Sequence, residues 1–130
     1  MEKILIIDDN KLIRKTLKET LSKVGYAIIE AEDGESGLVL VKTEHPDLVI
    51  TDFQMPGIDG LEVLSEIRKL NIALPVILLT AFGDVVLTIK SIQLGAFDFL
   101  EKPIDPHQLK TTIQLALNSL KVSNNKIRMF

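Results

Sequence analysis

Five polar side chains in this sequence each stand where a run of apolar residues ends. Asp8 and Asp9 follow residues 3–7, Asp52 follows 48–50, Thr80 closes 76–79 and Lys102 comes just after 97–100. Three carboxylates drawn into one pocket repel, and each raises the cost of ionising its neighbours. Relief comes from protonation, a basic partner or a divalent cation. A donor set of oxygens, with no His or Cys among them, suits Mg²⁺. A carboxylate beside such an ion can attack phosphorus and become an aspartyl phosphate. The metal and the Lys102 ammonium would neutralise charge on the group in transfer, and the Thr80 hydroxyl could hydrogen-bond one of its oxygens.

Taken singly, these residues are ambiguous. Asp8 and Asp9 could only cap the following helix, Asp52 could be a turn residue, Thr80 could be structural and Lys102 a solvated loop side chain. Their joint placement carries the argument, because each occupies the same end of its own apolar run.

The elements that must position them follow from hydrophobic spacing. Residues 3–7 form a continuous apolar strand pattern, and Lys11–Val24 places Ile13, Leu17, Leu21 and Val24 at helical intervals. Asp9 or Asn10 serves as its N-cap, and Gly25 closes it. Residues 26–31 read as a strand and 35–43 as a helix bearing Leu38 and Val41, stopped by His45-Pro46. The apolar run Leu48-Val49-Ile50 leads to Asp52, and Met55-Pro56-Gly57 breaks the chain before a helix over Gly60–Leu70 with Val63, Leu64, Ile67 and Leu70 inward. Val76–Thr80 is a strand. Asp84 caps a helix through Leu94, whose inward positions read as Val85, Ile89 and Ile92, with Val86 and Leu87 pointing partly outward. Residues 97–100 are the last strand. Pro106 opens a final helix carrying Leu109, Ile113, Ala116, Leu117 and Leu120, and Ser123-Asn124-Asn125 reads as its fraying end.

Five strand–helix units in strict alternation, with apolar strands, predict an α/β fold: a doubly wound parallel sheet covered by helices on both faces. The carboxyl ends of parallel strands share one edge, and the crevice outside that edge is where such sheets bind ligands. The five polar residues therefore converge.

At 130 residues, 46% of them hydrophobic, the chain is one domain with a real core. It has no Cys, so neither a disulfide framework nor a thiolate metal site is available. No run approaches the roughly 18 apolar residues of a membrane span, and the chain enters a strand too soon for a signal peptide. A cytoplasmic protein is expected. Net charge is −3. All 18 acidic residues precede Lys121, and after it Lys126 and Arg128 make residues 122–130 a short basic tail, expected to be a flexible, solvated end. That balance gives no sign of nucleic-acid binding.

The motifs Ile6-Ile7-Asp8-Asp9, Asp47-Leu-Val-Ile-Thr-Asp52, Met55-Pro56-Gly57-Ile-Asp-Gly60, Leu79-Thr80-Ala81 and Gly95-Ala-Phe-Asp-Phe-Leu-Glu-Lys102-Pro103 occur in order at the strand ends. Together they resemble the receiver domain of two-component response regulators, over residues 3 to about 121. The resemblance implies a flavodoxin-like (βα)5 fold with strand order 2-1-3-4-5, an order taken from the family and not from the spacing. It implies Asp52 as phosphoacceptor, with Thr80 and Lys102 as the phosphate-binding pair. Mg²⁺ would be held by Asp9 directly, Asp8 through water or at one remove, Asp52, and the backbone carbonyl of Gln54. Phe99 would be the aromatic that turns inward when Thr80 moves, Lys102-Pro103 would be cis, and Ala81 would be small enough for phosphoryl access. Gln54 and Phe82 would flank the path of a hydrolytic water.

The implied function is a phosphorylation-dependent signalling switch, not a metabolic enzyme, with only slow self-dephosphorylation. Its partner would be a sensor histidine kinase or a phosphotransfer protein. Phosphorylation would act through the surface of the fourth and fifth helices, including homodimer formation there, with no nucleic acid or membrane bound by this domain. Thr80-Ala-Phe-Gly-Asp-Val85 is similar to receivers preceding transcriptional output domains, so a stand-alone regulator and the receiver part of a transcriptional regulator both fit. Three other readings compete. An aspartate-nucleophile phosphohydrolase would want a second Asp two residues after the nucleophile, where this chain has Gln54, or Lys11 after Asp9. A flavodoxin-type flavin domain would want a Ser/Thr/Gly-rich loop where Asp8-Asp9-Asn10-Lys11 stands. A degenerate receiver used only for docking would lack site residues, and none is missing.

Overall fold

The computed structural model describes residues 1–70, 73–81 and 83–129, the last ten of these by backbone only. Ten elements alternate: β1 (Lys3–Ile7), α1 (Lys11–Val24), β2 (Ala27–Ala31), α2 (Gly34–Glu44), β3 (Leu48–Asp52), α3 (Gly60–Leu70), β4 (Val76–Thr80), α4 (Val85–Gln93), β5 (Asp98–Glu101) and α5 (Pro106–Met129). The strands form one parallel sheet in the order β2-β1-β3-β4-β5.

Alternating side chains explain why strands this short hold the domain together. Ile4 and Ile6 of β1, Leu48 and Ile50 of β3 and Ile77 and Leu79 of β4 face α1 and α5, packing with Leu17, Leu21, Leu109, Ile113 and Ala116. Leu5, Ile7, Val49, Val76 and Leu78 face the other way, onto Val41 of α2 and Val63, Leu64 and Ile67 of α3. Every residue of β3 and β4 is buried, as a central parallel strand covered on both faces requires.

Local signals set the helix ends. The Asn10 side chain accepts from the backbone N–H groups of Leu12 and Ile13, making Asn10 rather than Asp9 the N-cap of α1. Asp33 caps α2 through the Ser36 amide and Asp84 caps α4 through the Leu87 amide. Gly25, at φ 111, ends α1 in a conformation that L side chains avoid. The Lys102–Pro103 peptide is cis.

Three sequence expectations need correction. In α4 the buried positions are Leu87 and Ser91, while Val85, Val86, Ile89 and Ile92 are 65%, 77%, 55% and 47% exposed. Apolar residues run around most of this helix, so spacing alone does not select a face. Ser91 can go inward because its hydroxyl donates to the Thr88 carbonyl at 2.8 Å and its small side chain permits close approach. Val24 and Leu70, both expected inward, are about half exposed, each in the last turn of its helix. Finally, α5 continues as helix to Met129, past the Ser123-Asn124-Asn125 run. The helix-propensity penalties of Ser and Asn are a few tenths of a kcal/mol each, too small to stop a helix already nucleated by its buried turns. The side chain of Leu120 and the whole of Phe82 lie outside the described residues.

Gly60 binds the start of α3 directly to the end of β3. Its N–H donates to the Phe53 carbonyl at 2.8 Å, and a Cβ added at Gly60 would stand 2.5 Å from the Asp52 carbonyl oxygen and 2.9 Å from Phe53 Cα. Both obstacles are backbone, so neither can swing aside. Gly60→Ala should therefore destabilise the domain by about 3 kcal/mol, read from chemical denaturation. A variant as stable as the wild type would show that the β3–α3 connection is free to shift.

Candidate functional site

The C-terminal edge of the sheet gathers the polar residues that the sequence places at strand ends. Asp8 directly follows β1 and is fully buried. Asp52 and Thr80 are the last residues of β3 and β4, exposed by only 6% and 1%. Lys102 follows β5, and its Nζ lies 3.0 Å from Asp52 Oδ1. One carboxylate oxygen from each of Asp8, Asp9 and Asp52 falls within 4.8 Å of the others. Asp9 is exposed, at the mouth of this group.

Register explains the convergence. Ile7 pairs with Thr51 across β1 and β3, Asp52 with Leu79 across β3 and β4, and Thr80 with Glu101 across β4 and β5. The residues one step beyond these pairs must share an edge. The Lys102 amide adds a bond to the Thr80 carbonyl at 2.8 Å, extending the ladder to the lysine itself.

The electrostatics are unbalanced. Burial pushes the Asp8 carboxyl above its ordinary value, and the nearby Asp52 and Asp9 charges push it the same way. The Asn10 amide, donating to Asp8 Oδ1 at 2.9 Å, and the Lys102 ammonium pull it down. Two buried polar atoms here accept or donate no hydrogen bond: Asp8 Oδ2 and Thr80 Oγ1. Unsatisfied buried oxygens are costly and uncommon, so two at one sheet edge mark places for a ligand. Asp8 Oδ2 belongs to an all-carboxylate donor set, which fits a small hard cation. Thr80 Oγ1 is a hydroxyl, which fits a phosphoryl oxygen.

The remaining sequence candidates lie around this group. Gln54 is exposed in the loop leaving β3, two residues past Asp52. Phe99 is half-buried beside the cluster formed on the α2 and α3 face. Ala81 follows Thr80 and is exposed.

The sequence reading missed three side chains that hold the site's loops. Arg14 donates to the Asp8 carbonyl at 2.6 Å. Glu101 accepts the Gly83 amide at 3.0 Å, in the connection between β4 and α4. Glu35, in the first turn of α2, accepts weakly from Ile58 in the β3–α3 loop at 3.4 Å. Arg14 was detectable: it sits three and seven residues before Leu17 and Leu21, so a charge falls on the inward stripe of α1.

Comparison with known proteins agrees with this geometry. The family model for the response regulator receiver domain matches residues 4–114. A probable transcriptional regulator ycf27 of Porphyridium aerugineum is 45% identical over 95% of this chain and 52% of its own length. The alkaline phosphatase synthesis transcriptional regulatory protein PhoP of Bacillus subtilis is 33% identical over 94% of this chain and 51% of its own. The chain thus spans about half the length of these curated relatives. Among solved structures, a response regulator receiver domain protein from Clostridium thermocellum superposes with a TM-score of 0.90 at 35% identity, covering 94% of this chain and 98% of that one. NtrX from Brucella abortus, solved in complex with ADP, superposes with a TM-score of 0.94 at 32% identity, covering all of this chain and 30% of its own. The competing phosphohydrolase reading finds no support in these likenesses. The match of sequence over residues 4–114, of strand order and of site geometry makes this chain a member of the response regulator receiver domain family.

Proposed function

We propose that this chain is a phosphorylation switch in which Asp52 accepts a phosphoryl group with the help of Mg²⁺. The observation carrying this reading is the pair of buried, unpartnered oxygens, Asp8 Oδ2 and Thr80 Oγ1, at the edge where Lys102 meets Asp52. Asp8, Asp9, Asp52 and the Gln54 carbonyl would hold the metal. When bound, Mg²⁺ offsets negative charge on the carboxylates and on the transferring group.

The protein's own part follows from its geometry. Lys102 engages Asp52 Oδ1, leaving Oδ2 to attack phosphorus. As the new P–O bond forms, the bond from phosphorus to the donor breaks and the donor keeps its electron pair. Thr80 then donates its hydroxyl to one phosphoryl oxygen, and Lys102 turns from the carboxylate to the phosphoryl group. Slow hydrolysis of the acyl phosphate by water returns Asp52 to its starting state, with Gln54, exposed two residues past Asp52, beside the water's path. The donor would be a sensor histidine kinase or a phosphotransfer protein. An apolar groove of about 320 Å³ between α1 and the start of α5, lined by Leu12, Thr16, Pro103, Ile104 and Leu109, borders Lys102 and suits such a partner. A transcriptional output, as the relatives' names give, would place the protein in the cytoplasm.

The response would leave through α4 and α5. Movement of Thr80 toward the phosphoryl group opens space into which Phe99 can turn, beside α4. There Val85, Val86, Ile89 and Ile92 form an exposed apolar face, with Leu115 exposed on α5. A face of this kind is costly in water until a partner covers it, and the partner we propose is a second phosphorylated copy.

Acetyl phosphate with Mg²⁺ should add one phosphoryl group to the wild type by intact-mass measurement, and none without Mg²⁺. Asp52→Ala should show no adduct; an undiminished adduct would move the phosphoacceptor elsewhere.

Metal-free stability should respond to the Asp8 charge. A folded-state pKa above the ordinary 3.8 means the folded chain holds the proton more tightly than the unfolded one. The associated stability is full at low pH and is lost as pH rises from about 3.8 through the raised value. Asp8→Asn, which keeps an acceptor for Asn10, should therefore melt higher than the wild type at pH 7 without metal, by roughly 4 °C. The gap should close at acid pH. A variant that melts no higher at neutral pH would show that the carboxylate is already compensated.

Beryllofluoride, standing in for the phosphoryl group on Asp52, should shift sedimentation from monomer to dimer. Ile89→Glu should abolish that shift while leaving the melting temperature nearly unchanged, because Ile89 is exposed. Equal association of the variant would put the contact on another face.

A further inference from the structure

We propose that Arg14 is a positioning residue for the divalent-cation site, acting by fixing the peptide plane between Asp8 and Asp9. The inference rests on the Mg²⁺ reading above. Asp8 is held at three atoms by three parts of the chain: its N–H donates to the Ala31 carbonyl of β2 at 3.1 Å, its Oδ1 accepts the Asn10 amide at 2.9 Å, and its carbonyl accepts from Arg14 Nη1 at 2.6 Å. Only Oδ2 is left without a partner.

The carbonyl contact is the one that reaches Asp9. A peptide group is planar, so the Asp8 carbonyl and the Asp9 N–H turn together. Rotating that plane re-aims the Cα–Cβ bond of Asp9, and with it the spacing of the carboxylates that must share a cation. Asp9 is exposed, so packing does little to set its direction.

Arg14 is itself anchored. Its guanidinium Nε lies 3.5 Å from Glu30 Oε1 on β2, and Lys18 Nζ lies 3.5 Å from the other oxygen of Glu30. The Arg14 side chain is only 14% exposed. A planar guanidinium can hold a carboxylate and a carbonyl at once in fixed geometry, which an ammonium cannot.

Two effects of removing Arg14 have opposite sign. As a positive charge near the acids it repels a cation, so its loss would tighten Mg²⁺ binding. As a clamp on the Asp8–Asp9 peptide it preorganises the ligands, so its loss would weaken binding. Groups that orient metal ligands typically change affinity by 10–100-fold when removed, and the positioning effect should win.

The test is calorimetric titration of the full chain with MgCl2, alongside circular-dichroism melts. Arg14→Met should bind Mg²⁺ roughly tenfold more weakly than the wild type while remaining folded at the titration temperature. Arg14→Lys, whose ammonium reaches the carbonyl but not the carbonyl and Glu30 together, should recover part of the loss. Mg²⁺ binding in Arg14→Met as tight as in the wild type, or tighter, overturns the inference, as does an Arg14→Lys value no better than that of Arg14→Met. Should Arg14→Met fail to fold, Glu30→Gln carries the test: it loosens the anchor and leaves every site carboxylate in place. It should weaken binding about threefold, a smaller loss than for orienting groups removed outright, and unchanged affinity there overturns the inference. A wild type that takes up no Mg²⁺, or takes it up equally well as Asp9→Ala, overturns the metal reading and this inference with it. A lowered melting temperature with unchanged Mg²⁺ affinity overturns this inference alone.

Discussion

Like charge held close, at an edge where water is partly excluded, governs this molecule. Asp8, Asp9 and Asp52 place oxygens within 4.8 Å of one another, and Lys102 answers them with one contact at 3.0 Å. One ammonium against three carboxylates leaves an excess of negative charge, and burial of Asp8 makes that excess harder to bear. The sheet enforces the crowding: parallel register brings the strand ends to one line, and core packing on both faces keeps the strands from sliding apart. Folding thus holds the carboxylates together against their repulsion, and a small hard cation would gain from that arrangement.

Most of the fold was legible in the sequence because a parallel sheet covered on both sides writes a simple pattern. Apolar runs such as Ile4 to Ile7 and Val76 to Leu79 cannot be amphipathic strands, and the helical stripes between them have one face to bury. The site was legible for a related reason. A polar residue at the C-terminal end of a buried run has its place fixed by the sheet, so the convergence of Asp8, Asp52, Thr80 and Lys102 follows from the strand pattern.

What the sequence did not disclose depended on tertiary competition. In α4 nearly every position is apolar, and the choice of Leu87 and Ser91 as the inner face comes from how closely the helix can approach its neighbours. Val24 and Leu70 obey their helical period and still reach solvent, because each helix ends where the layer it packs on gives out. Arg14 was overlooked because its role is read by a backbone carbonyl, and a sequence names side chains more readily than the main-chain atoms they serve.

The link from Glu101 to the Gly83 amide has a consequence for the resting state. It is an exposed bond tying the end of β5 to the loop that carries the chain from Thr80 into α4. A bond of this kind contributes about 1 kcal/mol net, which weights a choice between two loop positions by only about fivefold. A tether of that strength biases the loop's position rather than locking it. A partner favouring another loop position would shift the balance by its differential affinity for the two, with this bond as part of the opposing weight.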